Sequence, residues 1–294
     1  MKNKKFIISI IIGMLMVLGL SGCGLGNNKE AKGFDVSKEI TVVSREDGSG
    51  TRGAFIELLE IEEKDSKGNK KDLTTDEAVI ANKTDIMLTN IAGDNYAVGY
   101  VSLGSINESV KAVSIDGVQA TAENIKNGSY TIARPFNIVT KGVPTEPAQD
   151  FINYILSAEG QAIVADGYIA VKENRENYKS SKPEGKLVIA GSSSVSPVME
   201  KLVERYKQIN PDVDIEIQTN DSTTGINGTI EGTCDIGMAS RNLKDSELEM
   251  LNPIVIAMDG IAIIVNDNNP IENFTRSQVK SIFTGEITTW EELK

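Results

Sequence analysis

Short apolar runs alternate with amphipathic stretches along most of the chain, and this alternation predicts an α/β fold. The run at 186–190 is nearly all apolar, as in strands that are buried on both faces of a parallel sheet. A helix is predicted over 197–209, because its apolar positions recur at i, i+3 and i+4 and Pro197 suits a first helical position. The same criteria predict further strands at 40–43, 98–103, 110–115, 214–219 and 235–239, and further helices at 51–63, 149–165, 225–231, 275–283 and around Trp290.

Two stretches indicate how the chain is divided. Residues 254–265 hold two apolar runs that are separated by Asp259 and Gly260, a pattern that suggests a crossing between two lobes. Residues 173–185 are rich in charge, serine and proline, and we interpret them as an exposed linker.

The N-terminus has the pattern of a secretion signal rather than of a folded element. A basic start precedes an apolar run at 6–20, and small residues then lead directly to Cys23. This arrangement resembles the lipobox of bacterial lipoproteins, which implies a signal peptide at 1–22, a lipidated, palmitate-bearing Cys23 and a flexible spacer within 23–37. The alternative, a transmembrane anchor, requires about 20 apolar residues, and the run is shorter. We therefore expect a protein that is anchored by its lipid to the extracytoplasmic face of the cell membrane.

Composition narrows the possible functions. The 294-residue chain has a net charge of −12, and loss of the signal peptide with its three lysines makes this −15, so nucleic acid and anionic membrane surfaces are poor partners. The sequence contains no histidine, which excludes histidine metal sites, Ser-His-Asp triads and histidine acid–base catalysis. Cys234 has no disulfide partner if Cys23 is lipidated, and it is expected to be a small core residue. No cofactor, metal ligand or catalytic residue is predicted.

Three loops share one design, in which a strand is followed by serine, threonine and glycine and then by the start of a helix. They lie at 191–197, 221–225 and 48–51. Helix N-termini present free backbone N–H groups and the positive end of the helix dipole, so such loops suit a tetrahedral oxyanion; the alternative for each loop is ordinary N-capping. Arg45 offers a guanidinium that forks onto two anion oxygens. Asp47 is expected to hold Arg45 in place, or else to form only an Asx turn.

The third loop also has the G-x-G-x-x-G spacing of dinucleotide sites, at Gly48, Gly50 and Gly53. A dinucleotide fingerprint places its first glycine directly after the strand, whereas here 45–47 intervene with carboxylates that repel a pyrophosphate. The acidic residue expected at the end of a second strand is also missing, since 62–71 is a charged, glycine-containing loop. We therefore interpret the glycines as allowing close approach to a smaller anion.

Several segments resemble the phosphate-binding proteins that serve ABC phosphate importers. These segments are SREDGSGTRGAF from Ser44, FINYILSAEGQAIVADGYIAV from Phe151, KLVIAGSSSVSPVMEKL from Lys186, QTNDSTTGI from Gln218, CDIGMASRNL from Cys234 and SIFTGEITTWEEL from Ser281. Their order differs from that of the family, because the family's second half, at 40–172, precedes its first half, at 186–294. This order predicts a circularly permuted monomer, and the alternative is a piece of two tandem copies that completes itself as a swapped dimer.

The resemblance implies a two-lobe α/β fold of the periplasmic-binding-protein type II, circularly permuted, with the ligand cleft between the lobes. One lobe is expected to be nearly continuous, at 127–259, and to include the linker at 173–185. The other lobe is expected to be split by the new termini into 38–126 plus 260–294.

The resemblance also assigns the site. The expected phosphate-binding residues are Arg45, Ser49, Gly50, Thr51, Ser194, Val195, Ser222 and Ser240, with Asp47 in support. Ser240 stands where some family members carry an aspartate that accepts the proton of hydrogen phosphate. The basis for selecting phosphate over sulfate is therefore open, with Asp47 and Glu46 as candidate acceptors.

The expected function is that of a solute-binding protein, not an enzyme, which captures inorganic phosphate by hinge closure and delivers it to an ABC permease. Two alternative binding functions stay open. The protein could bind another tetrahedral oxyanion such as sulfate, or it could be a surface receptor that senses phosphate. A phosphate-ester hydrolase is disfavoured, because the sequence places no base near any serine and no metal-type cluster of carboxylates.

Overall fold

A mixed β-sheet carries the fold. The computed structural model describes residues 33–64, 70–171 and 176–293, so the predicted signal peptide at 1–22 and Cys23 lie outside the described residues. The strands are β1 Thr41–Arg45, β2 Glu62–Lys64, β3 Lys70–Asp72, β4 Val79–Ala81, β5 Ala97–Ser102, β6 Val110–Ile115, β7 Ala133–Thr140, β8 Ile169–Ala170, β9 Gly185–Ser192, β10 Val213–Asn220, β11 Ile236–Ala239, β12 Asn252–Asn266 and β13 Asn273–Phe274. The helices are α1 Gly50–Leu58, α2 Thr84–Gly93, α3 Ala122–Lys126, α4 Glu146–Leu156, α5 Ala158–Val164, α6 Ser196–Ile209, α7 Ser222–Glu231, α8 Asp245–Leu248 and α9 Arg276–Thr284.

The sheet has a parallel group of strands at each end and antiparallel strands in the middle. Its order is β10-β9-β11-β7-β12-β5-β1-β4, with β6, β8 and β13 attached beside this path. β9, β10 and β11 run parallel to one another, as do β1, β4 and β5. The α/β class predicted from the sequence is confirmed, since each parallel group is continued by helices.

β12 is the long central strand. The sequence pattern predicted two separate apolar runs in this region, with a break at Asp259 and Gly260. The structure shows one continuous strand of 15 residues through Asp259 and Gly260. The half up to Gly260 pairs with β7, and the half from Ile261 pairs with β5 and β6. Asp259 does not break the strand, because its carboxylate is paired with Arg134 in the interior. β7 itself was not predicted, because Arg134, Pro135 and Asn137 interrupt its apolar pattern.

Two large hydrophobic clusters lie along this sheet. The first includes Phe136, Phe151 and Leu187, and the second includes Phe55 and Tyr100. All members of the first cluster fall between positions 136 and 257, and those of the second come from 40–132 and 261–290. The two lobes with the boundaries given above stay a prediction.

Two predicted helices end earlier than expected. The helix predicted over 149–165 is divided into α4 and α5 at Ser157, whose backbone is extended and whose Oγ accepts a hydrogen bond from Gly160 N at 3.2 Å. A serine that caps a new helix ends the previous one. The helix predicted over 51–63 stops at Leu58, because Glu60 adopts a φ of 56° and the chain then enters β2.

The segments predicted as spacer and linker are partly fixed. Phe34 packs against Tyr96 with the rings tilted and their centroids 5.0 Å apart, so the last residues of the 23–37 spacer pack on the core. In the described part of the linker, Ser181 N donates to Asp150 Oδ1 at 2.9 Å, and Tyr178 also bonds that carboxylate. No helix within the described ranges is long and apolar enough to cross a membrane.

Candidate functional site

The three predicted loops meet in the interior. Thr51 Oγ1 lies 2.9 Å from Ser194 Oγ and 3.2 Å from Ser240 Oγ, and Ser240 Oγ lies 3.5 Å from Ser222 Oγ. Every one of these side chains is buried. We call this group the hydroxyl cluster; it consists of Thr51, Thr84, Ser192, Ser193, Ser194, Ser222 and Ser240.

The cluster forms where strands end and helices begin. Each predicted loop follows the carboxyl end of a parallel strand, which is where ligands bind in open α/β sheets. Gly50 and Thr51 open α1, Val195 precedes α6 and is fully buried, and Ser222 opens α7. A fourth start, that of α2 at Thr84, was not predicted; its backbone N–H donates to Ser193 Oγ at 3.3 Å. Four helix N-termini therefore direct partial positive charge toward one set of hydroxyls.

Arg45 ends β1 and is 3% exposed. Its Nη2 donates to Ser193 Oγ at 3.1 Å and its Nη1 to Thr84 Oγ1 at 3.4 Å, so one edge of the guanidinium faces the hydroxyl cluster. The other edge is taken by Glu46, whose two carboxylate oxygens accept from Nε and Nη2, both at 2.8 Å. This bidentate pair fixes the orientation of the arginine.

Asp47 does not support Arg45 in the structure. Its side chain is 98% exposed and pairs with Arg52, with Nη1 and Oδ1 3.2 Å apart. The supporting contact predicted for Asp47 is made by Glu46, because the chain turns outward after β1. Ser49 is buried, and its Oγ caps α1 by accepting from Arg52 N at 3.3 Å.

The glycines of the opening loop allow close contact between chain segments. A Cβ on Gly50 would lie 2.4 Å from Ser222 Oγ, and one on Gly48 would lie 2.3 Å from Asp221 Oδ1. Gly48 O also accepts a hydrogen bond from Thr223 N at 3.2 Å. The start of α1 is thus held directly against the start of α7. The close approach of these glycines to an anion stays a prediction.

Sequence reasoning missed a second buried arginine. Arg134 on β7 is 2% exposed, and its Nη2 donates to Thr51 Oγ1 at 3.2 Å. Its Nη1 pairs with Asp259, which lies opposite in the register of β12. The one available signal was Asp259, a lone carboxylate within a strongly apolar run.

Burial and mutual attraction act against each other in this pair. Burial raises the pKa of Asp259, and Arg134 opposes that shift. Burial likewise lowers the pKa of Arg134; Asp259 opposes this, and the charge of Arg45 lowers that pKa further. Arg45 thus acts on Arg134 as a like charge.

The contacts around the hydroxyl cluster consist mainly of hydrogen-bond donors and hydroxyls. Among the described contacts of the hydroxyl cluster, the partners are hydroxyls, backbone groups and arginines, and none is a carboxylate that would act as a base. The described residues contain no group of three or more Cys, Asp or Glu side chains that suits a metal ion. Cys234 is buried, and burial raises the pKa of its thiol.

Two parallel strand groups with helix N-termini at their carboxyl ends, joined through the long central strand β12, are typical of the periplasmic-binding-protein class of folds. The model of the PBP superfamily domain matches residues 28–159 and 176–294, and the chain belongs to this superfamily.

Two sets of relatives differ in how much of the chain they match. The phosphate-binding proteins PstS 2 of Streptococcus agalactiae and Streptococcus pneumoniae are 50% and 44% identical over the whole chain, covering 99% and 100% of their own length. The crystal structure of a phosphate-binding protein of a phosphate ABC transporter from S. pneumoniae is 44% identical, with a TM-score of 0.70 over 87% of this chain and 100% of that one. By contrast, the phosphate-binding protein PstS of Bacillus subtilis is 32% identical over 126 residues, which is 42% of each chain.

Proposed function

We propose that this protein binds inorganic phosphate in the hydroxyl cluster and delivers it to an ABC permease. One observation carries the proposal: a buried arginine and the hydroxyls of three separate loops converge at four helix N-termini. The names of its full-length relatives support the same ligand and the same kind of transporter. We assign binding to Arg45, Ser49, Gly50, Thr51, Ser194, Val195, Ser222 and Ser240, as the resemblance implies.

The site can bind an anion although the site itself carries no large net positive charge. Backbone N–H groups and hydroxyls supply many short donors, and Arg45 supplies charge that Glu46 balances. A protein of strongly acidic composition repels phosphate at long range, so these local donors must hold it. Binding would separate the direct contacts between Thr51 and Ser194 and replace them with contacts to phosphate oxygens.

A second tetrahedral anion, sulfate, stays a candidate for a specific reason. Three carboxylates near the hydroxyl cluster are already engaged: Glu46 and Asp259 pair with arginines, and Asp221 caps α7 by accepting from Thr224. The proton of hydrogen phosphate would therefore be accepted by a hydroxyl such as that of Ser240, which both donates and accepts hydrogen bonds. The same hydroxyl can also donate to an oxygen of sulfate, so it does not exclude sulfate as an acceptor-only carboxylate would.

Calorimetry of the full-length protein in detergent, with phosphate and then with sulfate, tests this proposal. We expect phosphate to bind more tightly than sulfate. Equal affinities would contradict the assignment of phosphate and would indicate a site for tetrahedral oxyanions in general. Arg45→Ala is expected to weaken phosphate binding by at least about 10-fold, because a charge-assisted hydrogen bond is lost.

The matched control is Arg205→Ala. Arg205 lies on the surface of α6 and donates to Gln208 Oε1 at 2.9 Å. Its loss removes the same charge from the protein far from the hydroxyl cluster, so phosphate affinity should stay unchanged. Equal losses in the two variants would remove Arg45 from the site.

We also propose that the chain is circularly permuted relative to part of its family. A linear alignment that covers only 42% of the B. subtilis protein and 42% of this chain is what exchanged halves produce. The described ends of the chain are also adjacent, because Ile40 N donates to Thr288 O at 2.7 Å and Phe34 contacts Trp290. Adjacent ends are a requirement for permutation.

Lipid attachment at Cys23 and a location on the extracytoplasmic face of the membrane complete the proposal. The support is the signal pattern that ends at Cys23. Mass spectrometry of the mature N-terminal peptide should find a lipid-modified Cys23, and an unmodified cysteine there would contradict the assignment.

A further inference from the structure

Arg134 lies on β7 in the middle of the sheet, and only part of its hydrogen-bond donor capacity is used. It lies opposite Asp259 in the register of β7 and β12. Its Nη1 donates to the carboxylate of Asp259 and to Gly260 O, the latter at 2.6 Å. Nη2 reaches Thr51 Oγ1 at 3.2 Å, and Nε is buried without a hydrogen-bond partner among the described residues.

In a purely structural ion pair, we would expect more of the N–H donors of Arg134 to have partners. A buried arginine is costly unless its charge and its N–H groups are all satisfied. Asp259 is better satisfied, since it also accepts from Ser102 Oγ at 2.7 Å and from Gly104 N at 3.4 Å. The unused donor capacity is therefore on the arginine, and its Nη2 is directed at the predicted anion loop.

The surrounding charges point to a ligand. Arg45 and Arg134 both donate to hydroxyls of one cluster, since Thr51 links Arg134 to Ser194 and Thr84 links Arg45 to the same serine. Each arginine has one carboxylate partner, so the site without a ligand is formally neutral but keeps two like charges close together. An anion that contacts both guanidinium groups relieves that repulsion.

We infer that Arg134 is a second cationic ligand of the bound anion, and that it selects the doubly charged form of phosphate over the singly charged form. The inference rests on the proposed function, since it assigns another residue to the same site. Each of the two arginines is paired with one carboxylate, so net charge alone does not favour a dianion. Direct contact with two guanidinium groups does favour it, because the added negative charge interacts with both at hydrogen-bond distance. Arg134 supplies the second contact through Nη2.

The test is calorimetry of full-length variants with inorganic phosphate, below and above its second ionisation. The main variant is Arg134→Met with Asp259→Asn, which leaves no unpaired charge in the interior. We expect it to bind the dianion about 10- to 100-fold more weakly, with a smaller loss for the monoanion. An unchanged ratio between dianion and monoanion affinity would overturn the inference, because a merely structural role weakens both forms alike.

Two single variants keep the inference testable if the double variant does not fold. Asp259→Asn leaves Arg134 without its counter-charge, so affinity for the dianion should rise, and a fall or no change would contradict the assignment. Arg134→Lys keeps the charge and should keep the preference for the dianion. Failure of the unaltered protein to bind phosphate would instead overturn the proposed function itself.

Discussion

At the scale of single residues, the hydroxyl cluster leaves no space for a side chain at Gly50. Its Cα faces Ser222 and Ser240, and a Cβ there would meet their Oγ atoms at 2.4 and 2.9 Å. Both serines are buried and hydrogen-bonded, so neither moves away at low cost. The glycine is therefore required by space and not by an unusual backbone angle.

Gly50→Ala is expected to destabilise the protein by about 1–3 kcal/mol and to weaken phosphate binding, since the added methyl separates α1 from α7. Thermal unfolding and phosphate calorimetry measure the two effects. Gly53→Ala is the control, because its Cβ would meet only Arg241 Cδ, at 3.7 Å, and alanine favours the helix by up to about 1 kcal/mol. Equal destabilisation by both changes would show that the packing argument fails.

At the scale of elements, the helices that face the cluster differ in how their first turns are capped. In α7 the side chain of Asp221 accepts from Thr224 N, and in α1 Ser49 accepts from Arg52 N. By contrast, α2 and α6 have no side-chain cap at their N-caps, Lys83 and Val195. Their first turns lack a side-chain cap, and in α2 the first N–H instead donates to a hydroxyl of the cluster, Ser193 Oγ, which an anion can replace.

Capping also explains the break between α4 and α5, and it is testable there. Ser157→Ala removes the bond from Gly160 N and should lower the free energy of unfolding by about 1 kcal/mol. Thr145→Ala is the matched control, because Thr145 is the N-cap of α4 but makes no side-chain cap bond. Urea unfolding should show a lower midpoint for the first variant with unchanged slope. A similar loss in both variants would indicate that the capping bond is not the cause.

At the scale of the whole molecule, the chain ends are the informative feature. Glu39 and Thr289 form an isolated antiparallel bridge, and Trp290 N donates to Lys38 O at 3.3 Å. The other junction of the proposed permutation, the linker, is anchored to Asp150 by Ser181. Within the described residues, the two chain ends and the linker from 176 onward are thus each held by hydrogen bonds to the folded chain.

A reordered variant tests the permutation. Joining the C-terminal end to Gly33 through a short flexible linker, and opening the chain near Pro183, restores the order expected of the family. We expect this variant to fold as a monomer and to bind phosphate within about 10-fold of the original, since the ends to be joined are already adjacent. Solution mass and calorimetry measure both properties. A dimeric mass for the original chain would instead favour domain swapping.

Much of the fold was predictable because it depends on local pattern. Runs such as 186–190 and 197–209 became β9 and α6 with shifts of one or two residues at most, since strand and helix periodicity are properties of neighbouring residues. The site was predictable in part for the same reason. Loops that open helices carry their own signature of serine, threonine and glycine, and Arg45 stands beside one of them.

The sequence by itself therefore determined the α/β class, the positions of most elements and the loops that offer donors to an anion. Only the tertiary structure decided that Glu46 and not Asp47 holds Arg45, and that Arg134 meets Asp259 and Thr51. The physical reason is that these contacts join residues far apart in the chain, or depend on which of two adjacent side chains turns inward. Strand register and packing determine these contacts and these side-chain directions, and neither register nor packing leaves a local pattern in the sequence.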